Sequence, residues 1–255
     1  MHTPNACALG LFVKCPQPEM IEAIGIAGMD FAVIDMEHTP LGPRDLYPLV
    51  LAAERRKLHL VVRIPQKVDA YFKWCRDLNI ASIQVPHVET REDALFAIKH
   101  SYFSPVGERG LCRFVRAADF SVMPKDRYLG SANDANQLIL QIEGKRALDN
   151  LNDIVDVVPP GVSLFIGPYD LSQSLGKPGN IWDPEVVAAM ERIIALCRSR
   201  GIGVGTFTDT PQGIEFWSGK GLSFLQYASD LHLFIGAAQA LMQSSRGLLQ
   251  PGPNA

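Results

Sequence analysis

Eight short β-rich runs, each followed by a longer stretch of helical spacing, constrain this chain more than any other feature. The runs are ALGLFV (8–13), FAVID (31–35), HLVVRI (59–64), SIQVP (82–86), LILQIE (138–143), LFIG (164–167), GVGTF (203–207) and LSFLQYA (222–228). They are nearly continuously apolar, which marks strands buried on both faces, as in a parallel sheet covered by helices. Between them, PEMIEAIGIAG (18–28) sets Met20, Ile21, Ile24 and Ala27 on one helical face. DPEVVAAMERIIALCRSRG (183–201) has Asp183 as cap, Pro184 at the first helical position and Gly201 as terminator. RDLYPLVLAAERRK (44–57), TREDALFAIKHS (90–101), TPQGIEFWSGKG (210–221) and DLHLFIGAAQALMQSS (230–245) complete the helical set. Eight β-then-α units predict a single-domain (β/α)8 TIM barrel over residues 1–248, with a disordered tail at 249–255. An open doubly wound sheet needs fewer strands and a phosphate loop after its first strand, which KCPQP (14–18) cannot form. One segment, 102–137, is too long for a plain connection between the fourth helix and the fifth strand. It reads as an ordered excursion with a helix near 124–136.

The bulk properties narrow the function classes. A net charge of −3 gives no general reason to expect nucleic acid or an anionic membrane as partner. No apolar run is long enough to span a bilayer, and MHTPNACALG lacks a basic region followed by an apolar core, so a cytoplasmic protein is expected. Five scattered cysteines without a Cys-x-x-Cys pair argue against a zinc site or a disulfide framework.

In such a barrel the strand C-termini converge on one mouth, and chemistry happens there. The polar residues at those ends are therefore the candidates. Lys14 follows the first run; Asp35, Glu37 and His38 close the second; Arg63 ends the third; His87 and Glu89 follow the fourth. Gln141 and Glu143 end the fifth, Asp170 lies in GPYDLS after the sixth, and Asp209 follows the seventh. Glu143 and Asp170, from adjacent strands at matching depth, make a hard, oxygen-rich pair suited to Mg2+ or Mn2+. Their alternative use is structural, Glu143 capping the next helix and Asp170 holding its own loop. Arg63, in a very apolar strand, needs an anion. A salt bridge to Asp35 or Glu37 and a bond to a substrate carboxylate or enolate oxygen both remain open. His38, three residues after Asp35, could be an imidazole base oriented by that carboxylate. In GPYDLS, Gly167 permits close approach, Pro168 fixes the turn, and the amides of Tyr169 and Asp170 could bind a small carboxylate. GIGVG (201–205) lies before and within a strand, not at a strand-to-helix turn, and is discounted as a phosphate loop.

DFAVIDMEH, VVRIP, IQVPHVET, YFSPVGERG, LQIEG, ALDNLNDI and LFIGPYDLSQSLG occur here in the order and spacing of a known family. The chain resembles, over roughly residues 8 to 245, the class II (metal-dependent) pyruvate aldolases. These are the 4-hydroxy-2-oxoheptanedioate and 2-keto-3-deoxy-sugar-acid aldolases, with macrophomate synthase as a relative. The resemblance implies reversible cleavage of 4-hydroxy-2-oxoacids to pyruvate, or a close 2-oxoacid analogue such as hydroxypyruvate, and an aldehyde. It implies a divalent metal (Mg2+, Mn2+ or Co2+) on Glu143 and Asp170, with Arg63 on the enolate oxygen. Gln141, Gly167, Pro168, Tyr169, Glu37 and Phe12 would line the substrate pocket. His38, oriented by Asp35, would move the proton through a metal-bound water. It further implies a homohexamer with an exchanged C-terminal helix, here 230–245, in which Asp77 reaches a neighbour's site. Departures from the family pattern cluster on the acceptor side: Phe12, Lys14, Tyr169 and the polar TFTDTP. Lys14 and Thr208 are accordingly expected to help set aldehyde choice, an expectation ranked below a Lys14 that simply snorkels to solvent. Two other readings stay open, an oxaloacetate decarboxylase or macrophomate-synthase-like enzyme using the same enolate, and a barrel that binds a small acid without turning it over.

Overall fold

The computed structural model of the chain describes residues 7–246. Eight strands form a closed barrel in chain order: β1 (Ala8–Val13), β2 (Phe31–Asp35), β3 (His59–Arg63), β4 (Ser82–Val85), β5 (Gln137–Ile142), β6 (Val162–Ile166), β7 (Val204–Thr208) and β8 (Phe224–Ser229). Every neighbouring pair is parallel, and β8 closes on β1. The helices are α1 (Pro18–Ile26), α2 (Leu46–Arg56), α3 (Asp69–Asp77), α4 (Arg91–Ser101), α5 (Lys125–Ala135), α6 (Lys145–Asp149), α7 (Leu151–Val155), α8 (Pro168–Ser174), α9 (Pro184–Ser199), α10 (Pro211–Ser218) and α11 (Asp230–Ser245). The (β/α)8 expectation holds. The predicted barrel limits and the tail at 249–255 extend beyond the described residues.

The local reasons are visible at the helix ends. Thr90 caps α4 by accepting from the Asp93 N–H, while the Asp93 carboxylate accepts from the Thr90 N–H. Asp183 caps α9 with Pro184 in its first turn. Helices α3, α6, α7 and α8 were not among the predicted segments; α3 buries only Phe72, Cys75 and Arg76, and α6 to α8 run five to seven residues, too short to show a helical period.

Successive strand residues point alternately out and in. Outward side chains such as Ile34, Val62, Ile83, Leu140 and Leu164 pack under the helices against Ile21, Leu49, Phe72, Met190 and Ile193. Inward ones form a separate plug of Phe12, Phe31, Val33, Val61, Ile139, Phe165 and Phe224. Gly10 and Gly205 make room for it, since a Cβ at either would collide with the ring of Phe31 or Phe224. Toward the strand C-termini the inward set turns polar: Asp35, Arg63, Gln84, Gln141 and Gln226, all buried. This switch within a fixed alternation places a site at that mouth.

The excursion over 102–137 is ordered, and α5 falls within the predicted 124–136. It has its own small core of Phe103, Ala118 and Tyr128, and Arg109 stacks on Phe103 while pairing with Asp77. Helix α11 leaves Leu231, Phe234, Ile235, Leu241 and Met242 exposed. The cysteines among the described residues are all free. No helix among those residues is long and apolar enough to cross a membrane.

Candidate active site

A cavity of about 350 Å³ opens at the C-terminal mouth, bordered by Phe12, Lys14, His38, Arg63, Gln141, Gly167, Pro168, Tyr169, Asp170 and Asp209 among others. The residues singled out in the sequence thus converge, apart from Thr208 and from Glu89, whose carboxylate pairs with Arg146; Asp77 was expected at a neighbour's site. Thr208 is buried and its hydroxyl donates to the Thr210 carbonyl, because the inward position of β7 is Phe207. Asp77 sits at a separate surface cavity of about 540 Å³ with Tyr47, Trp74 and Phe120.

Asp35 is the anchor of the site. Its Oδ1 accepts from Arg63 Nε at 2.9 Å and from the peptide N–H groups of Glu37 and His38 at 3.1 and 3.3 Å. Its Oδ2 pairs with Arg63 Nη2 at 2.8 Å and with the Lys14 ammonium. Burial alone would raise the pKa of this carboxyl, but the hydrogen bonds and charges of Arg63 and Lys14 override it and hold the group at about 2. Two expectations are corrected here. Lys14 does not snorkel to solvent: the buried carboxylate draws its ammonium inward. Nor does Asp35 orient the His38 imidazole, because four hydrogen bonds and the Arg63 Nη2 ion pair already occupy it and only the His38 backbone reaches it. The ring is largely exposed at the cavity, with Nε2 3.9 Å from Glu37 Oε2.

Arg63 bridges two anions. Besides its bidentate hold on Asp35, Nη1 lies 3.1 Å from Glu37 Oε2 as an ion pair, without the alignment of a hydrogen bond. The guanidinium lies over the Phe12 ring at 4.9 Å. Of its five N–H groups only two, on Nε and Nη2, are committed to Asp35, so donors are left at the cavity edge.

His87 carries a role the sequence reading left unassigned. Its backbone is left-handed (φ 53°), and its peptide N–H donates to Glu143 Oε1 at 2.7 Å. That turn brings the ring back into the mouth, with Nδ1 3.1 Å from Glu143 Oε1 and Nε2 3.1 Å from Glu37 Oε1. The hydrogen bond to Glu37, opposed by burial and assisted by the charges of Glu143, Glu37 and Asp170, lifts its pKa to about 8. The Lys67 ammonium holds the turn by donating to the His87 carbonyl and to Asp93, both at 2.6 Å. The available sequence signal was an imidazole directly after a strand-ending proline. The result is an alternating chain of charge around the mouth: Glu143, His87, Glu37, Arg63, Asp35, Lys14.

Glu143 follows β5 directly and is buried, and Asp170 is exposed in the first turn of α8. They are less level than expected, since the Gly167 N–H pairs with the Ile142 carbonyl and Asp170 comes three residues later. Burial raises the Glu143 pKa, against hydrogen bonds from Gln141 and the His87 backbone and the His87 charge, and Asp170 repels it further. Gly167 is required here: a Cβ would lie 2.6 Å from Glu143 Oε2. A buried carboxylate whose charge is disfavoured, facing a second carboxylate, fits a divalent cation. Among the described residues no three His, Cys, Asp or Glu side chains form a ready-made metal cluster. Two carboxylates would leave most coordination positions to water and substrate oxygens, the habit of Mg2+ and Mn2+.

The far wall is aromatic. Phe207 lies 5.9 Å from Phe12 and 5.8 Å from Tyr169, whose hydroxyl donates to Asp209 Oδ2 at 2.7 Å. Burial, then that hydrogen bond and the Asp209 charge, push the Tyr169 phenol up to about 12.

Comparison with known proteins finds relatives over nearly the whole chain. The sequence model of the HpcH/HpaI aldolase/citrate lyase family matches residues 8–237. A 2-dehydro-3,6-dideoxy-6-sulfogluconate aldolase from Pseudomonas putida is 33% identical over 248 residues, 97% of this chain and 96% of the relative. A 2-keto-3-deoxy-L-rhamnonate aldolase from Escherichia coli is 32% identical over 231 residues, 90% and 85% of the two chains. The crystal structure of an HpcH/HpaI aldolase/citrate lyase family protein from Burkholderia cenocepacia J2315 superposes with a TM-score of 0.90 at 32% identity, covering 96% of each chain.

Proposed function

The chain belongs to the HpcH/HpaI aldolase/citrate lyase family, and from that premise we propose that this carbon–carbon lyase reversibly cleaves a 4-hydroxy-2-oxoacid of the 2-keto-3-deoxy sugar-acid kind. The products are pyruvate, or a close 2-oxoacid analogue, and an aldehyde. The observation that carries the reading is one mouth holding both the Glu143 and Asp170 carboxylates and a guanidinium with uncommitted donors.

A divalent cation (Mg2+, Mn2+ or Co2+) held by Glu143 and Asp170 would supply Lewis-acid stabilisation of charge on the 2-oxo oxygen. Arg63 donates to the same oxygen, pre-aimed by Asp35 so that little reorganisation is needed. The peptide N–H groups of Tyr169 and Asp170 hold the substrate carboxylate, and Gln141 lines the pocket beside it. His38 Nε2 takes the proton of the 4-hydroxyl; the C3–C4 bond breaks, its electron pair passes into the enolate of pyruvate, and the aldehyde departs. C3 then receives the proton that His38 carries, which gives the methyl group and returns the imidazole to its starting form. Glu37 supports both His38 and Arg63. Pyruvate incubated with the enzyme in D2O is expected to lose its methyl proton signal when Mg2+, Mn2+ or Co2+ is present and to keep it under chelator. Absence of exchange at any metal concentration rejects the enolate and leaves the non-catalytic reading. CO2 release from oxaloacetate in place of aldol cleavage would favour decarboxylation.

The acceptor side belongs to Tyr169, Asp209 and Lys14. Tyr169→Ala opens the wall beside Phe207 and frees Asp209. The ratio of kcat/KM for a five-carbon over a two-carbon aldehyde is expected to rise about tenfold, in line with the value of a methylene or two in a pocket. An unchanged ratio removes Tyr169 from aldehyde selection.

Assembly as a homohexamer through an exchanged α11 is part of this proposal, supported by the bare apolar residues of that helix and by Asp77 lying away from its own chain's mouth. A cytoplasmic setting is likewise proposed.

A further inference from the structure

We propose that Gln84 and Gln226, neither of which borders the cavity, are positioning residues that aim the side-chain amide of Gln141 at Glu143 and the substrate. The three amides form a directed chain across the barrel interior. Gln226 Nε2 donates to Gln84 Oε1 at 2.6 Å, Gln84 Nε2 donates to Gln141 Oε1 at 2.5 Å, and Gln141 Nε2 donates to Glu143 Oε2. All three glutamines are at most 1% exposed, above an otherwise apolar plug.

A lone glutamine amide can turn over by 180°, exchanging donor for acceptor at little cost. Gln141 cannot, because its oxygen is claimed by Gln84. Turning it would set Gln141 Nε2 against Gln84 Nε2, donor against donor, and point a carbonyl at the Glu143 carboxylate. Gln84 is fixed in the same way by Gln226. The chain therefore has one polarity compatible with an ionised Glu143, and that polarity leaves the second N–H of Gln141 for the cavity it borders. Buried amides with no packing advantage over leucine are costly, and this chain leaves Gln226 Oε1 at its remote end buried without a partner among the described residues. Three in register, ending on a candidate metal ligand, serve the mouth.

The kinetic arm rests on the aldolase reading; the metal-binding arm does not. The variants are Gln84→Met, which keeps volume and removes both bonds, Gln84→Glu, whose ionised carboxylate competes with Glu143 for the Gln141 donors, and Gln226→Met at the remote end. Mn2+ affinity is read by electron paramagnetic resonance without substrate, and kcat and pyruvate KM by methyl exchange in D2O. Mn2+ dissociation constants are expected to rise about tenfold for Gln84→Met, as for other groups that orient a ligand. The rise should be larger for Gln84→Glu and smaller for Gln226→Met, with KM rising more than kcat falls. If the Mn2+ constant and KM of the folded variants stay within twofold of wild type while only melting temperature drops, the chain is packing and the proposal falls. Should Gln84→Glu fail to fold, the two methionine variants decide. A wild-type enzyme that binds Mn2+ but exchanges no pyruvate protons overturns the reaction and leaves this inference to the metal data.

Discussion

Arg63→Leu is expected to lower kcat/KM for aldol cleavage by ~10²–10³-fold, the usual cost of removing a preorganised donor to a developing oxyanion. It should also destabilise the fold by about 3 kcal/mol, the low end for stripping a partner from a buried charge, since Lys14 still pairs with Asp35. The two losses share one geometry: Nε and Nη2 on Asp35, Nη1 beside Glu37. Arg63→Lys should not rescue either, because an ammonium cannot span two carboxylates and keep a donor for substrate. The pH dependence has a definite sign. Asp35 sits at about 2 in the folded chain against 3.8 unpaired. Its contribution, about 2 kcal/mol, is complete above pH 4 and is lost as pH falls toward 2. Without Arg63 the folded pKa rises, that contribution shrinks, and acid unfolding should begin at higher pH. Denaturant midpoints at pH 7 and through the acid range from pH 4 down to the folded Asp35 value of about 2, for wild type and both variants, beside pyruvate-release kinetics, check this. An Arg63→Leu enzyme with wild-type acid stability would show that Lys14 alone neutralises Asp35.

The barrel was legible because its strands are apolar on both faces and its helices are punctuated by caps such as Asp183 and Pro184. The mouth residues were legible for the related reason that a charged group at the end of an apolar strand has few other places to be. What could not be read was pairing. Lys14 and Asp35 are 21 residues apart, and only closure of β1 beside β2 puts the ammonium on the carboxylate. His87 needed a left-handed backbone to turn its ring into the site, a conformation no pattern of side-chain types declares. Thr208 was misplaced by one step of strand alternation, the inward side chain being Phe207. Gln84 and Gln226 show the reverse case. Each is a polar residue at an inward position of an apolar strand, in the same alternation as Gln141, but the three read as a set only once the barrel is closed.

Glu143→Gln separates metal binding from fold most sharply. The side chain is held by the His87 peptide N–H, the His87 ring and Gln141, so a near-isosteric amide keeps the volume and deletes the charge, its oxygen keeping one of these contacts while its NH2 faces a donor at the other. The raised pKa of Glu143 means its ionised form is disfavoured by the folded environment, so at neutral pH its charge subtracts from stability until a cation offsets it. Under chelator, therefore, the variant should melt within a few degrees of wild type. Adding Mn2+ should stabilise wild type by about 2.7 kcal/mol at one hundred times its dissociation constant and leave the variant unmoved, because only a ligand that binds the native state shifts unfolding. Cleavage activity and metal-dependent methyl exchange should both fall by ~10³-fold or more, the loss including the cation's share of charge stabilisation. If the variant still gains stability from Mn2+ with an unchanged midpoint, the cation is held elsewhere, and the two-carboxylate site on which the reaction depends is wrong. If Mn2+ binding is lost while methyl exchange persists under chelator, the enolate forms without a metal, and Arg63 with His38 must carry the charge by themselves.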